Sequence, residues 1–476
     1  LRTAGERCER AARSANRLWI DPFVLLYLLA VYTNVAIWRG QQLLAPAPAP
    51  FLVCAAFFAV NPAAFSRKLL IAFAGLVGVL ALTFVLTSLQ LGEFRTSVLL
   101  TTVSFAYSLL VGLGGFAIVV ATPRARLSRS LATFAAALMV GAALDGMGVL
   151  RPLSDAFRTA TYPNWLQYGR EGIGVLRDTA TYGGYRPTVF AAEPSLVGIW
   201  GLVGMAGWLM LKPVRLWSRR TALYLAYAAA MLALVRTPTL ILAGPILLIA
   251  WMAQGAGRPL GPAIAAWLRP LRFVAAAAGL TGLGAWAAGL PASGALAFIG
   301  GPSFYERVVA PQILAGRVVA EHPLLGIGLG DKKTLWALTQ RLVVDSVPDA
   351  QGLLEGQDSA IALLCNSFYL HWIYFGLAGG TAMLLAYAAA LKSLGLRDTA
   401  AVGAVAACLM FTLGGYTGVV VWAIVMIVAG VRRQYERSIA TAPARYRQLR
   451  PRRMRRSDAA AWRAGLARPP APPASP

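Results

Sequence analysis

The sequence predicts an all-α integral membrane protein with about twelve transmembrane helices, within a range of roughly ten to thirteen. Three observations predict it. Of 476 residues, 58% are apolar and 13% are charged, about half the roughly 25% charge of an ordinary soluble domain. Mean hydropathy is +0.62. Apolar runs recur at lengths near the about 20 residues that a helix needs to cross a bilayer. Disorder, a secreted disulfide scaffold and a soluble enzyme are excluded, because so apolar a globule could not cover its own surface with polar groups.

A basic arm, 1–18, precedes the first apolar run. Helices 1–5 are expected within 19–150, at 19–38, 49–65, 69–89, 98–121 and 130–150. Helices 6–9 follow within 189–290, at 189–211, 221–235, 237–253 and 273–290. Helices 10–12 lie within 361–431, at 361–391, 399–413 and 415–431. The tenth is long enough to be broken, with Gly376, Gly379 and Gly380 near its middle. No small-residue cleavage site follows the first run, so it reads as a retained helix.

Charge sets the orientation. Lys and Arg number 44 against 19 Asp and Glu, a net +25. With both termini inside, the inner segments carry 31 basic residues and the outer ones 13, which satisfies the positive-inside rule. The surplus is thus explained by topology, and nucleic acid is not an expected partner. Membrane lipids are, above all at the Arg-rich, Pro-rich tail 432–476, which is expected to be a disordered cytoplasmic segment on anionic lipid. The expected location is a membrane that the chain crosses many times, with both termini on its cytoplasmic side.

Two outer loops, 151–188 and 291–360, exceed ordinary connection lengths and are rich in aromatic residues, so the chemistry is expected there. The inner loops are short, and no G-x-x-x-x-G-K-[ST] sequence is present, which excludes a P-loop engine. The four Cys have no C-x-x-C spacing, and the acidic residues at 331–358 match no metal loop, reading instead as solvated charge. No metal and no cofactor is expected.

Glu193 precedes Pro194 where the first long loop meets an apolar helix. It reads either as a capping carboxylate favoured by the helix dipole or as a general base at a cavity mouth. Arg236, in a short outer turn, reads either as a side chain snorkelling to headgroups or as a phosphate ligand presenting its fork of donors. The outer loops also carry Arg158, Arg186, Arg307 and Arg317. His371, after an apolar run, reads as a satisfied interior histidine.

Four motifs in order then resemble the O-antigen polymerase and ligase superfamily. They are Phe190-Ala191-Ala192-Glu193-Pro194-Ser195, Arg236-Thr237, Glu321-His322-Pro323-Leu324-Leu325-Gly326-Ile327-Gly328-Leu329-Gly330, and Asn366-Ser367-Phe368-Tyr369-Leu370 followed by Tyr374-Phe375-Gly376-Leu377-Ala378-Gly379-Gly380. The likeness covers 186–431 well and the first five spans only in general character.

The resemblance implies the large all-helical class of inverting membrane glycosyltransferases, needing neither nucleotide nor metal. The implied substrate is an oligosaccharide repeat unit on undecaprenyl diphosphate, and the product an O-antigen, capsule or exopolysaccharide chain. A chain-length regulator and a flippase are the implied protein partners. Arg236 and Arg317 are then expected on the diphosphate and Glu193 as base. Arg158, Arg186, Arg307, His322, Asn366 and Tyr369 are expected to bind substrate. Cys365 stands where the family often has His, which counts against the ligase branch and leaves the base open. The alternatives are a ligase that moves glycan to lipid A core or another acceptor, and a flippase or other transporter. Internal repeats would mark a transporter, and none is seen.

Overall fold

The computed structural model describes residues 19–162, 184–255, 307–346 and 364–449, apart from Gly40, Gln41, Pro46, Glu93, Val308, Gly330, Asp331 and Thr412. The arm 1–18, the span expected at 273–290, parts of both long loops (163–183, 291–306 and 347–363) and the tail beyond 449 lie outside the described residues. Fourteen α-helices are described, together with one short hairpin.

The first span departs from expectation. Helix α1, Pro22–Thr33, starts where the Asp21 side chain accepts from the Phe23 and Val24 amides, with Pro22 in its first turn. It ends at Asn34, whose left-handed backbone (φ 45°) halts the helix. The chain continues into an antiparallel hairpin, β1 Ile37–Arg39 and β2 Gln42–Ala45, with an irregularity between Ile37 and Trp38. The expected helix over 19–38 is therefore 12 residues long.

Helices α2 (Pro48–Val60), α3 (Arg67–Leu91), α4 (Thr96–Ala121) and α5 (Arg124–Gly146) complete the first group. Helix α6, Arg151–Thr161, lies inside the first long loop. Then come α7 (Pro194–Met210), α8 (Arg219–Val235), a 3-10 turn over Pro238–Leu242 and α9 (Ala243–Gly255). Two helices occupy the second long loop, α10 (Ala310–Glu321) and α11 (Lys332–Ser346). The last are α12 (Ser367–Ser393), α13 (Thr399–Met410) and α14 (Val419–Leu449).

Helices α3, α4, α5 and α12 are long and apolar enough to cross a membrane. The chain is a candidate multi-pass membrane protein on that ground. Helix α3 adds a physical argument. Leu70, Ile71, Leu82, Val85, Leu86 and Leu89 on it are all exposed, a patch that water would penalise and lipid would not.

The centre of the bundle is the α4–α14 pair. At Gly112 a Cβ would stand 2.9 Å from the Trp422 carbonyl, and at Gly430 one would stand 2.7 Å from Val119. Small residues let two apolar backbones approach closely, which is how helices associate in lipid. The Ser108 hydroxyl donates to the Thr417 carbonyl at 2.7 Å, tying the start of α14 to α4.

The tail is helical further than expected. Rather than ending at 431, α14 runs to Leu449. Its continuation is anchored where the Gln434 amide donates to the carbonyls of Val119, Val120 and Thr122. Arg432 pairs with Asp398 at 2.9 Å and with Glu436 at 3.3 Å, all three being buried. Glu436 in turn accepts the amides of Arg397 and Asp398. The hydrogen bonds that the two carboxylates accept offset part of the hydration lost on burying these charges.

Helix α12 is broken, as the glycine pattern predicts. Gly376 has φ 62° and ψ −167°, outside the helical region. The Pro323–Leu329 turn occupies the break. The Ile327 and Gly328 amides donate to the carbonyls of Ile373 and Tyr374 (3.0 and 3.1 Å), while the Leu377 and Gly379 amides donate to those of Pro323 and Leu324 (2.7 and 3.0 Å). Backbone groups freed by a break in an apolar helix need partners, and this turn supplies them. A Cβ on Gly376 would stand 2.6 Å from the Gly326 nitrogen. The two glycine motifs are thus the two halves of one backbone joint.

Candidate functional site

The segment 184–193 is the hub of the site. It enters α7 through two consecutive non-glycine residues with left-handed backbones, Val189 (φ 45°) and Phe190 (φ 68°). For β-branched and aromatic residues such geometry costs roughly 1–3 kcal/mol each and persists only when the surroundings enforce it.

They do so from several helices. Asp145, fully buried in the last turn of α5, accepts the Thr188 and Val189 amides on Oδ2 at 2.7 and 2.9 Å. The Ser154 hydroxyl on α6 accepts the Phe190 amide at 2.9 Å. Tyr32 on α1 donates to the Val189 carbonyl at 2.7 Å. Tyr162 donates to the Phe190 carbonyl at 3.2 Å and also to that of Thr33. Burial pushes the Tyr162 phenol up to about 12, against the opposing effects of Arg158 and a Thr161 hydrogen bond, so it stays a neutral donor well above neutral pH.

What the clamp presents is Glu193. Its backbone sits at the N-cap of α7, yet its side chain makes no capping hydrogen bond. The carboxylate instead receives the Ser195 hydroxyl on Oε2 at 2.8 Å and lies 3.9 Å from Arg307 Nη2. Its side chain is 40% exposed. Oε1 has no hydrogen-bond partner among the described residues. Of the two sequence readings, the capping one does not describe the side chain.

The arginines expected to bind substrate converge on the same segment. Arg158 on α6 donates to the Ala192 carbonyl at 3.2 Å and to Asp155 at 3.2 Å. Arg186 is buried within the segment itself. Arg236, in a left-handed C-cap of α8, brings Nη1 so near Gly184 that a Cβ there would stand 3.2 Å away. The adjoining Thr237 is buried against Gly198 on α7, which fixes the corner. Arg307 completes the group through its ion pair with Glu193.

Asn366 and Tyr369 support rather than line this group. Asn366 is fully buried at the N-cap of α12, where Oδ1 accepts the Tyr369 amide and Nδ2 donates to the Arg307 carbonyl at 2.7 Å. Tyr369 is buried and its hydroxyl donates to Gln312 on α10 at 3.2 Å. Asn366 therefore holds the backbone that carries the Arg307 guanidinium, and Tyr369 ties α12 to α10.

Arg317 and His322 sit elsewhere. Arg317 is on the exposed side of α10 in an ion pair with Asp345 on α11 at 3.2 Å. His322 ends α10, half-buried, and its carbonyl accepts the Gly326 amide at the start of the joint with α12.

His371 is interior, as expected, with Nδ1 2.7 Å from the Tyr416 hydroxyl and Nε2 3.0 Å from the Gly380 carbonyl. A carbonyl only accepts, so Nε2 carries the proton and Nδ1 accepts from Tyr416. Cys365 packs against Gly414, the Cβ of which would lie 3.3 Å from the Cys365 Cα. Among the described residues no three His, Cys, Asp or Glu side chains are placed to hold a metal ion.

Sequence reasoning missed Asp145, the centre of the clamp. Its signal was present, since it is the one carboxylate within the apolar run 130–150, and such a group needs a reason. Comparison with family models, curated proteins and solved structures finds no match.

Proposed function

We propose that the chain is a polysaccharide polymerase of the inner membrane, which transfers a glycan from undecaprenyl diphosphate to the sugar of a second lipid-linked repeat unit. The observation that carries this reading is the half-exposed Glu193 carboxylate, paired with Arg307 at 3.9 Å, at the end of a segment that Arg158 and Arg236 also approach and that contains the buried Arg186. The motif resemblance supplies the substrate class. Twelve spans with both termini inside would put this group on the outer face, where lipid-linked glycans are used.

In this reading Glu193 takes the proton of the acceptor hydroxyl as its oxygen attacks the anomeric carbon. The bond from that carbon to the diphosphate oxygen breaks, and the negative charge leaves on the lipid diphosphate. Arginine forks held in fixed positions stabilise that charge as it develops, most effectively where water is excluded. The strained clamp has a purpose here. It fixes the carboxylate relative to the arginines, and positioning supplies much of such catalysis.

The test is purified protein in lipid with its diphosphate-linked repeat unit and nothing else, products being sized by gel or mass. A ladder of longer lipid-linked glycans supports the polymerase. Glycan appearing only on an added lipid acceptor would mean a ligase, and neither product would favour a transporter.

A further inference from the structure

A second cationic group lies at the opposite ends of the helices that hold the clamp. Helices α5 and α8 run side by side, the Tyr227 hydroxyl of α8 donating to the Ala135 carbonyl of α5 at 2.9 Å. The charge of Arg124, in the first turn of α5, acts on Arg220, in the first turn of α8, so both first turns lie at one end. Arg124 opens α5, which has no side-chain cap, and Arg220 stands in the first turn of α8.

The Arg220 guanidinium stacks on Trp208, in the last turn of α7, with its carbon 3.9 Å from the ring centroid. Its Nε and Nη2 are buried, without a hydrogen-bond partner among the described residues. Burial, then the like charge of Arg124, pushes the Arg220 guanidinium down to about 10. Tyr435 of α14 faces Arg124. Among the described residues neither arginine has a carboxylate partner.

Two cations in the first turns of adjacent helices oppose both helix dipoles and each other. Buried guanidinium nitrogens without partners add the cost of lost hydration. An anion bearing several acceptor oxygens removes all three penalties at once. The adjoining loop points to its source. Trp217 is fully exposed, and Leu216, Lys212, Arg215 and Arg219 beside it are exposed too. An aromatic side chain among cations is the composition of a membrane–water interface.

We propose that Arg124 and Arg220, with Trp208 as floor, bind a phosphate group, drawn from the headgroup of an anionic phospholipid at this end of the bundle. The site is independent of the reaction assigned to Glu193.

The test uses the full chain in phosphatidylcholine nanodiscs with and without phosphatidylglycerol, alongside detergent-solubilised protein titrated with inorganic phosphate. Native mass spectrometry counts retained phosphatidylglycerol, and thermal unfolding reports stabilisation. Wild type is expected to retain a lipid that Arg220→Gln and Arg124→Gln hold about tenfold more weakly. Stabilisation by inorganic phosphate alone, lost in both variants, would keep the site but make free phosphate its source. Should Arg220→Gln fail to fold, Arg124→Gln, altering a half-buried first-turn residue, still decides. Equal lipid retention in wild type and folded variants, with no effect of phosphate, overturns the proposal.

Discussion

Asp145 Oδ2 accepts the backbone amides of both Thr188 and Val189, at 2.7 and 2.9 Å, from a fully buried position at the end of α5. One carboxylate oxygen thereby holds the first residue of the left-handed pair Val189–Phe190, and the residue before it, in the segment that delivers Glu193. Asp145→Ala would leave two buried donors without an acceptor, at a cost of roughly 3 kcal/mol. Asp145→Asn keeps an acceptor oxygen and should lose about half as much. Thermal unfolding in detergent separates them, and equal stability of all three proteins would remove the clamp from the account.

Arg307 and Glu193 should behave differently. Their 3.9 Å pair is partly solvated, so breaking it should change stability by no more than about 1 kcal/mol. Activity should respond far more strongly. Arg307→Ala is expected to slow chain growth about 10²-fold or more, as is Arg236→Ala. Glu193→Gln, which cannot take a proton, should lose about 10²–10⁴-fold. Normal polymer lengths from cells carrying these variants, at normal protein levels, would refute the site.

Arg317 offers a sharper discrimination because of its partner. Asp345→Asn removes the ion pair but leaves the arginine. If Arg317 contacts the diphosphate, Arg317→Ala stops chain growth and Asp345→Asn does not. If the α10–α11 pairing is what matters, the two variants fail alike. The exposed geometry limits the stability change of either to about 1 kcal/mol, so polymer length is the informative readout.

The joint between the Pro323–Leu329 turn and α12 makes a structural prediction. Gly376→Ala adds a Cβ to a residue with φ 62°, against a backbone nitrogen 2.6 Å away. Strain of this type costs roughly 1–3 kcal/mol before the clash is counted. The yield of folded protein should fall sharply, while Gly316→Ala, in a helix with open space around it, should be tolerated. Equal yields would contradict the joint.

Residue patterning revealed the membrane class, the break near Gly376 and the interior nature of His371, because each leaves a local trace. Hydropathy, a glycine cluster and a lone imidazole in an apolar run can all be read without the fold. Convergence could not be read that way. Arg158, Arg186, Arg236 and Arg307 share the segment 184–193 only because α6, α8 and the α10 entry all meet the stretch before α7. The end of α1 at Asn34 and the helical run beyond 431 were hidden for the same reason. A left-handed asparagine and a glutamine reaching three carbonyls of another helix are tertiary events that hydropathy does not register.

The most direct test of the central claim is the reconstituted chain-growth reaction, run with wild type, Arg307→Ala and Glu193→Gln on one defined lipid-diphosphate-linked repeat unit. The account predicts a ladder from wild type and only unreacted repeat unit from both variants, all three proteins being folded. A wild-type protein that makes no ladder, or variants that make the same ladder, would contradict it.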